Sequence, residues 1–220
     1  MSRVRSVSLA LVLGVTAHVS AQTPTATPPL ELAWKVGDRW VFTKLETATR
    51  RDRGVTVEKR VLSSGPEGYV TQIADETAPI EERVLANGTH IRAATDHAGA
   101  QEHIPVAFPL KPGSRWDTRS QQLITSGNTL RREARCTAGE TTTVTVPAGS
   151  FEVVEIECKG WWNLPQGYSG RYEVWAWYAP KARWFAKMRV RNGPPGWGGF
   201  QSADVVFDVE YQLKSLELTP

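Results

Sequence analysis

His90, His97 and His103 fall in one short stretch, and two of them follow acids, as Asp96-His97 and Glu102-His103. Imidazole and carboxylate together are the ligand chemistry of a divalent cation. The spacing argues against that use. His97-Ala98-Gly99-Ala100-Gln101-Glu102-His103 is not the HExxH frame that a helix needs to aim two rings at one ion. No metal and no cofactor is expected. Glu155 and Glu157 are a second candidate. Two apart on a strand, they share a face with Cα atoms about 6–7 Å apart, and glycosidases use facing carboxylates. Alternating glutamates on a solvent face are the plainer explanation. Serine is abundant, but no GxSxG elbow is present, and Ala148-Gly149-Ser150 reads as a hairpin turn. Phosphate-binding glycine loops and dinucleotide fingerprints are absent. No catalytic residue is assigned and a non-enzymatic role is expected.

The aromatic residues are more distinctive. Trp161, Trp162, Trp175, Trp177 and Trp197 are the candidate ligand- or partner-binding residues. Along the strand expected near Tyr168–Ala179, Tyr172 and Tyr178 share one face while Trp175 and Trp177 share the other. One set can fill a core, and the other must be covered or left for a ligand. Trp197 sits in the glycine-proline loop Asn192-Gly193-Pro194-Pro195-Gly196-Trp197-Gly198-Gly199. An exposed tryptophan there suits a sugar face, a lipid headgroup or a protein pocket. Folded back, it would instead act as a lid over the end of the sheet.

These residues must be positioned by strands. Thr141 to Val190 consists of β-branched and aromatic runs cut by compact turns at Pro147–Ser150, Asn163–Gly167 and Ala179–Lys181. Strands are also expected over Val55–Leu62, Tyr69–Ala74, Arg115–Thr125, Thr129–Arg135 and Thr141–Val146. No segment keeps a helical period. The fold expected is all-β: a single domain of about 10–12 mostly antiparallel, meandering strands. Such a meander curls into a barrel, a half-barrel or two packed sheets to limit exposed edges. Asn87-Gly88 predicts a two-residue hairpin loop pairing Leu85 with His90 and Val84 with Ile91. Around Pro147–Ser150 a four-residue loop would pair Val146 with Phe151. Val154, Ile156 and Cys158 then face the other way, so either both faces are covered or a bulge shifts the register. In the last hairpin, apolar must meet apolar, so paired residue numbers sum to an odd value. Arg189 opposite Asp204 and Arg183 opposite Glu210 would satisfy that rule.

The first residues read as a secretory signal peptide, 1–21. Arg3 and Arg5 precede an apolar run from Ser6 to Ala17, and Val19-Ser20-Ala21 is a small-x-small cleavage site. A Pro/Thr-rich leader, 22–33, follows, then one β domain, 34–218. The echo of Val36-Gly37-Asp38-Arg39-Trp40 in Pro112-Gly113-Ser114-Arg115-Trp116 suggests two similar halves, 34–95 and 110–218. Cleavage after Ala21 would place the protein in the periplasm or outside the cell. There Cys136 and Cys158, the chain's two cysteines, are expected to form a disulfide, which stabilises by roughly 3 kcal/mol for a loop of that size. Lys and Arg total 26 against 23 Asp and Glu, and two of those basic residues leave with the signal. The remainder is near neutral, so no nucleic-acid partner is implied. No later run is long enough to span a membrane.

Val146-Pro147-Ala148-Gly149-Ser150-Phe151, then Trp177-Tyr178-Ala179-Pro180 and Lys187, resembles uncharacterised exported bacterial β-proteins. In those, a VPAG-[ST]-F hairpin precedes a WYAP turn. The Gly37–Trp40 and Gly113–Trp116 lead-ins fit the same pattern, and the likeness covers roughly 34–214. It implies a curved sheet of the lipoprotein-carrier type in the periplasm, with no activity attached. WYAP usually leads into a glycine-containing turn, whereas Lys181-Ala182-Arg183 follows here. The function expected is binding of an apolar or amphipathic ligand, or of an envelope partner. The alternatives are an envelope-polymer- or carbohydrate-binding module using exposed tryptophan, and a hydrolase with an unrecognised site.

Overall fold

The computed structural model describes residues 29–47, 51–75, 78–93, 101–124, 126–195 and 205–220. The signal peptide, most of the leader, His97 and Trp197 lie outside them. The described residues form one antiparallel sheet of twelve strands, nearly closed into a barrel. In order these are β1 (Arg39–Glu46), β2 (Arg51–Gly65), β3 (Gly68–Ala74), β4 (Ile80–Leu85), β5 (His90–Arg92), β6 (Gln101–His103), β7 (Arg115–Leu123), β8 (Thr129–Val146), β9 (Gly149–Asn163), β10 (Ser169–Ala179), β11 (Trp184–Pro195) and β12 (Phe207–Glu217). Two six-strand meanders join where β1 pairs with β12. The free edges, β6 and β7, meet through side chains. Trp116 Nε1 donates to Ile104 O (3.1 Å), and Ile104 N donates to Thr118 Oγ1 (3.1 Å).

The two lead-ins noted in the sequence fold alike. Asp38 N donates to Lys35 O and Ser114 N to Lys111 O, both at 3.0 Å. Lys35 N is held by Asp38 Oδ2 (2.9 Å), and Lys111 N by Ser114 Oγ (3.3 Å). Each then feeds the first strand of a meander.

One end of the barrel is closed by packing. Trp34, ahead of β1, meets Trp184 at 4.8 Å and Trp40 at 5.5 Å between ring centroids. The indole N–H groups of Trp34 and Trp40 donate to Arg183 O (2.6 Å) and Ala182 O (2.7 Å). A wholly buried tryptophan such as Trp40 costs about 3–5 kcal/mol to delete. The proline-rich segment before β7 adds Val106, Phe108 and Leu110 to the same core. The tip of the β8–β9 hairpin reaches across, and Ala148 N donates to Leu213 O (3.0 Å).

Three registers differ from those the sequence suggested. The loop at Asn87-Gly88 holds one more residue, so Val84, not Leu85, faces His90. Thr89 N donates to Asn87 Oδ1 (3.0 Å), and Gly88 adopts φ +86°. A Cβ on Gly88 would sit 1.9 Å from Val106 O, so no other residue fits. The hairpin at Pro147 is tighter than expected, pairing Val146 with Gly149 and Val144 with Phe151. Thr129–Arg135 and Thr141–Val146 are one strand, broken in register between Ala138 and Thr141, and Val153 and Val154, on opposite faces of β9, are both buried, so a bulge and cover on both faces occur together. The last hairpin keeps the odd-sum rule but slides: Arg189 faces Glu210, and Met188 faces Tyr211. Arg189 makes a two-pronged bond to Asp208 (2.8 and 2.6 Å), and Asp204, its expected partner, lies outside the described residues. Arg183 pairs with Asp38 at 3.0 Å rather than Glu210. It lies in the turn after WYAP, at φ 55°, the conformation glycine would supply. The strain is about 1–2 kcal/mol. Asp38, wholly buried, and Thr219 O hold its guanidinium there. The disulfide joins Cys136 to Cys158 across β8 and β9, as expected.

Candidate functional site

Period-two alternation sends every second side chain inward, and the inward rows do not fill the barrel. A cavity of about 430 Å³ is left among them. Phe42, Ile73, Val174, Met188, Val190 and Phe207 supply apolar wall. The size falls within the usual range for small-molecule sites, about 300–1,000 Å³. Charged side chains interrupt the wall. Lys44, Lys59, Arg92 and Arg132 face it, against Asp75 and Glu82.

Glu82 is the centre of one charged group. It is almost wholly buried. Lys59 Nζ donates to its Oε1, as does Thr71 Oγ1 at 3.3 Å. His90 Nδ1 lies 3.0 Å from the same oxygen, and Arg92 Nη2 donates to Oε2 at 3.3 Å. Burial pushes the carboxyl upward, but the Lys59 charge and the His90 contact outweigh it and hold the group well below the usual carboxylate range. Lys59 is lowered by burial, although Glu82 opposes that shift. Its ammonium sits 5.0 Å from both the Trp34 and Trp184 rings. His90 is lowered by burial and by the Lys59 charge. His103, whose ring lies 5.1 Å from that of His90, is lowered to about 3 by burial and by its neighbour. The imidazoles are therefore neutral at pH 7, and both oxygens of Glu82 are committed. The cluster holds strands β2, β3, β4 and β5 together and offers no free base.

Arg132, on β8, is the second charged point, and it is held differently. It is 8% exposed. Its Nη1 donates to Gln122 Oε1 (3.0 Å) and its Nε to Asn192 Oδ1 (3.4 Å). The Tyr172 and Phe207 rings lie 5.8 and 5.7 Å from the guanidinium carbon. Among the described residues no carboxylate lies within ion-pair distance of it. Burial lowers its pKa.

The tryptophans picked out in the sequence separate. Trp162 points inward and is wholly buried, its Nε1 donating to Gly193 O (2.8 Å). Trp175 and Trp177 lie on the opposite face of β10 from Tyr172 and Tyr178. Arg189 lies 5.5 Å from Trp175, and Lys187 lies 5.1 Å from Trp177. Trp177 Nε1 also donates to Glu155 Oε1 (2.9 Å). Glu157 pairs with Lys159 at 2.7 Å. Trp161 is the exposed aromatic among the described residues, at 49%, with Arg171 4.5 Å from its ring. His90 and His103 come together, but among the described residues no three His, Cys, Asp or Glu form a metal site.

Lys59, Glu82 and Arg132 were not singled out from the sequence, although the signal was there. Each is a charge in the apolar phase of its strand, between Val57 and Val61, Ile80 and Val84, or Leu130 and Ala134. A charge in that phase is buried and must be paired or used.

The structure thus defines a class: a nearly closed antiparallel barrel around a partly charged cavity. No family model matches the chain, and no curated protein matches its sequence. Two crystal structures share the fold. One is described as an exported protein with a YmcC-like fold from Bacteroides fragilis; at 14% identity it aligns over 86% of this chain and all of its own, with a TM-score of 0.54. The other is described as a lipoprotein from Parabacteroides distasonis, at 11% identity over 87% of this chain and all of its own, also with a TM-score of 0.54. At these identities the likeness is one of fold. No helix among the described residues is long and apolar enough to cross a membrane.

Proposed function

We propose that this is an exported, non-catalytic binding protein that holds an apolar or amphipathic small molecule inside its curved sheet. The cavity of about 430 Å³ carries the reading. It is mainly apolar, and the best-placed acid–imidazole pair beside it is consumed by its own neighbours. Export to the periplasm or beyond, with cleavage after Ala21, is supported by the signal-like first residues and by the Cys136–Cys158 bridge. The names of the two structural neighbours agree with it. A sugar-binding surface has one supporting observation, the exposed Trp161. Native mass spectrometry of protein purified from its own periplasm tests the main reading. It predicts an adduct of small-molecule mass that survives gentle ionisation and leaves on denaturation. Bare protein throughout, with no stabilisation by any amphiphile, contradicts it.

A further inference from the structure

Arg132 lines the cavity without a carboxylate partner among the described residues, and Asn192, which accepts from its Nε and is not itself part of the lining, has an unpartnered amide N–H. We propose that the cavity receives an amphiphile with an anionic oxygen head, a carboxylate or a phosphate monoester, seated on Arg132 and Asn192. This rests on the reading of the cavity as a binding chamber.

A guanidinium carries five N–H donors. Arg132 spends two of them on the neutral oxygens of Gln122 and Asn192. The next donor is already beside it. Asn192 is 1% exposed, and its Nδ2 has no acceptor among the described residues. The Asn192 amide N–H is buried without an acceptor and costly to leave so, and the Arg132 charge beside it has no carboxylate partner among the described residues. An anionic oxygen supplies the missing acceptor and the counter-charge at once, and the planar guanidinium fork suits a carboxylate or a phosphate. Arg92 also lines the cavity and its Nε has no acceptor among the described residues, but Glu82 already answers its charge. The cavity as a whole leans the same way, with four cationic side chains against two acidic ones. Met188 and Val190, on the same inward face of β11 as Asn192, give the tail an apolar wall.

The test is calorimetric titration of the full mature protein with decanoate, decyl phosphate, decanol and decylamine, repeated on R132M and R132K. The wild type is expected to bind one or both anions at least about tenfold more tightly than decanol, with decylamine weakest. Comparing the two anions identifies the head. R132M should bind decanoate no better than decanol, while R132K keeps part of the preference. Equal binding of decanoate, decyl phosphate and decanol by the wild type overturns the anionic head but leaves the chamber standing. No binding by any of the four overturns both. An anion preference that persists in R132M overturns the assignment to Arg132. Should R132M fail to fold, N192L reads the same point: anion affinity must fall several-fold while decanol affinity holds.

Discussion

Glu82 and Arg132 face one cavity, and each is a buried charge on an otherwise apolar strand face. Glu82 is met by Lys59, Thr71, His90 and Arg92, from β2, β3 and β5. Arg132 meets two neutral amides and two rings. The first arrangement is what a fold needs when a carboxylate must be kept inside: both oxygens are answered, by groups from separate strands. The second leaves a cation partly answered. The difference teaches that burial of a charge has two uses. A charge answered from within ties strands together, and one left short is held ready for something from outside.

The comparison is broken most sharply at Glu82. E82Q leaves Lys59 and Arg92 without their anion, and removing one partner of a buried pair costs about 3–5 kcal/mol. Urea unfolding at neutral pH should show that loss. A loss below about 1 kcal/mol would mean the cluster does not hold the strands.

Acid provides the next test. His90 and His103 have pKa values lowered from 6.5, so below that pH the unfolded chain binds protons that the fold refuses. Stability is then present above pH 6.5 and declines below it, by about 1.4 kcal/mol per pH unit for each histidine. Glu82, held low, adds its loss only in stronger acid, as the pH falls through its folded pKa. Unfolding followed from about pH 7.5 to 5.5 should show the decline, and H103F should remove about one proton's worth of slope. A flat profile contradicts the neutral, buried imidazoles.

Arg132 should behave in the opposite sense. R132M removes a cation that no carboxylate among the described residues answers, so its stability should stay within about 1 kcal/mol of the wild type. The smallest effect is expected on the outer face. R189A breaks an ion pair that is partly open to water and should cost about 0.2–1 kcal/mol. These two variants, compared with E82Q under one condition, measure the contrast directly.

Much of the architecture was legible in the residues. Alternation and turn chemistry gave the strands and the parity of the last hairpin. The two cysteines gave the bridge. Register was less legible, because it depends on loop geometry that propensity does not fix. The longer loop at Asn87-Gly88 lies against Val106 and Phe108, a segment distant in sequence, with Phe108 N donating to Asn87 O. That one-residue shift moved His90 from beside Leu85 to beside Val84 and so hid its approach to Glu82. The tryptophans drew attention by their number, yet Trp162 is core and Trp175 and Trp177 lie against cations. The quieter signal was charge in an apolar phase, at Lys59, Glu82 and Arg132. It marks the cavity but does not say which charges are paired, since the partners come from other strands.

A crystal structure of the protein with decanoate or decyl phosphate, whichever binds more tightly, tests the central claim most directly. The account predicts the anionic head within about 3.2 Å of Arg132 and of Asn192 Nδ2, with the tail inside the barrel and Glu82 still bound to Lys59 and His90. A head resting on Arg92 or Lys59 with Glu82 displaced, or a molecule seated on the outer face beside Trp161, would contradict it.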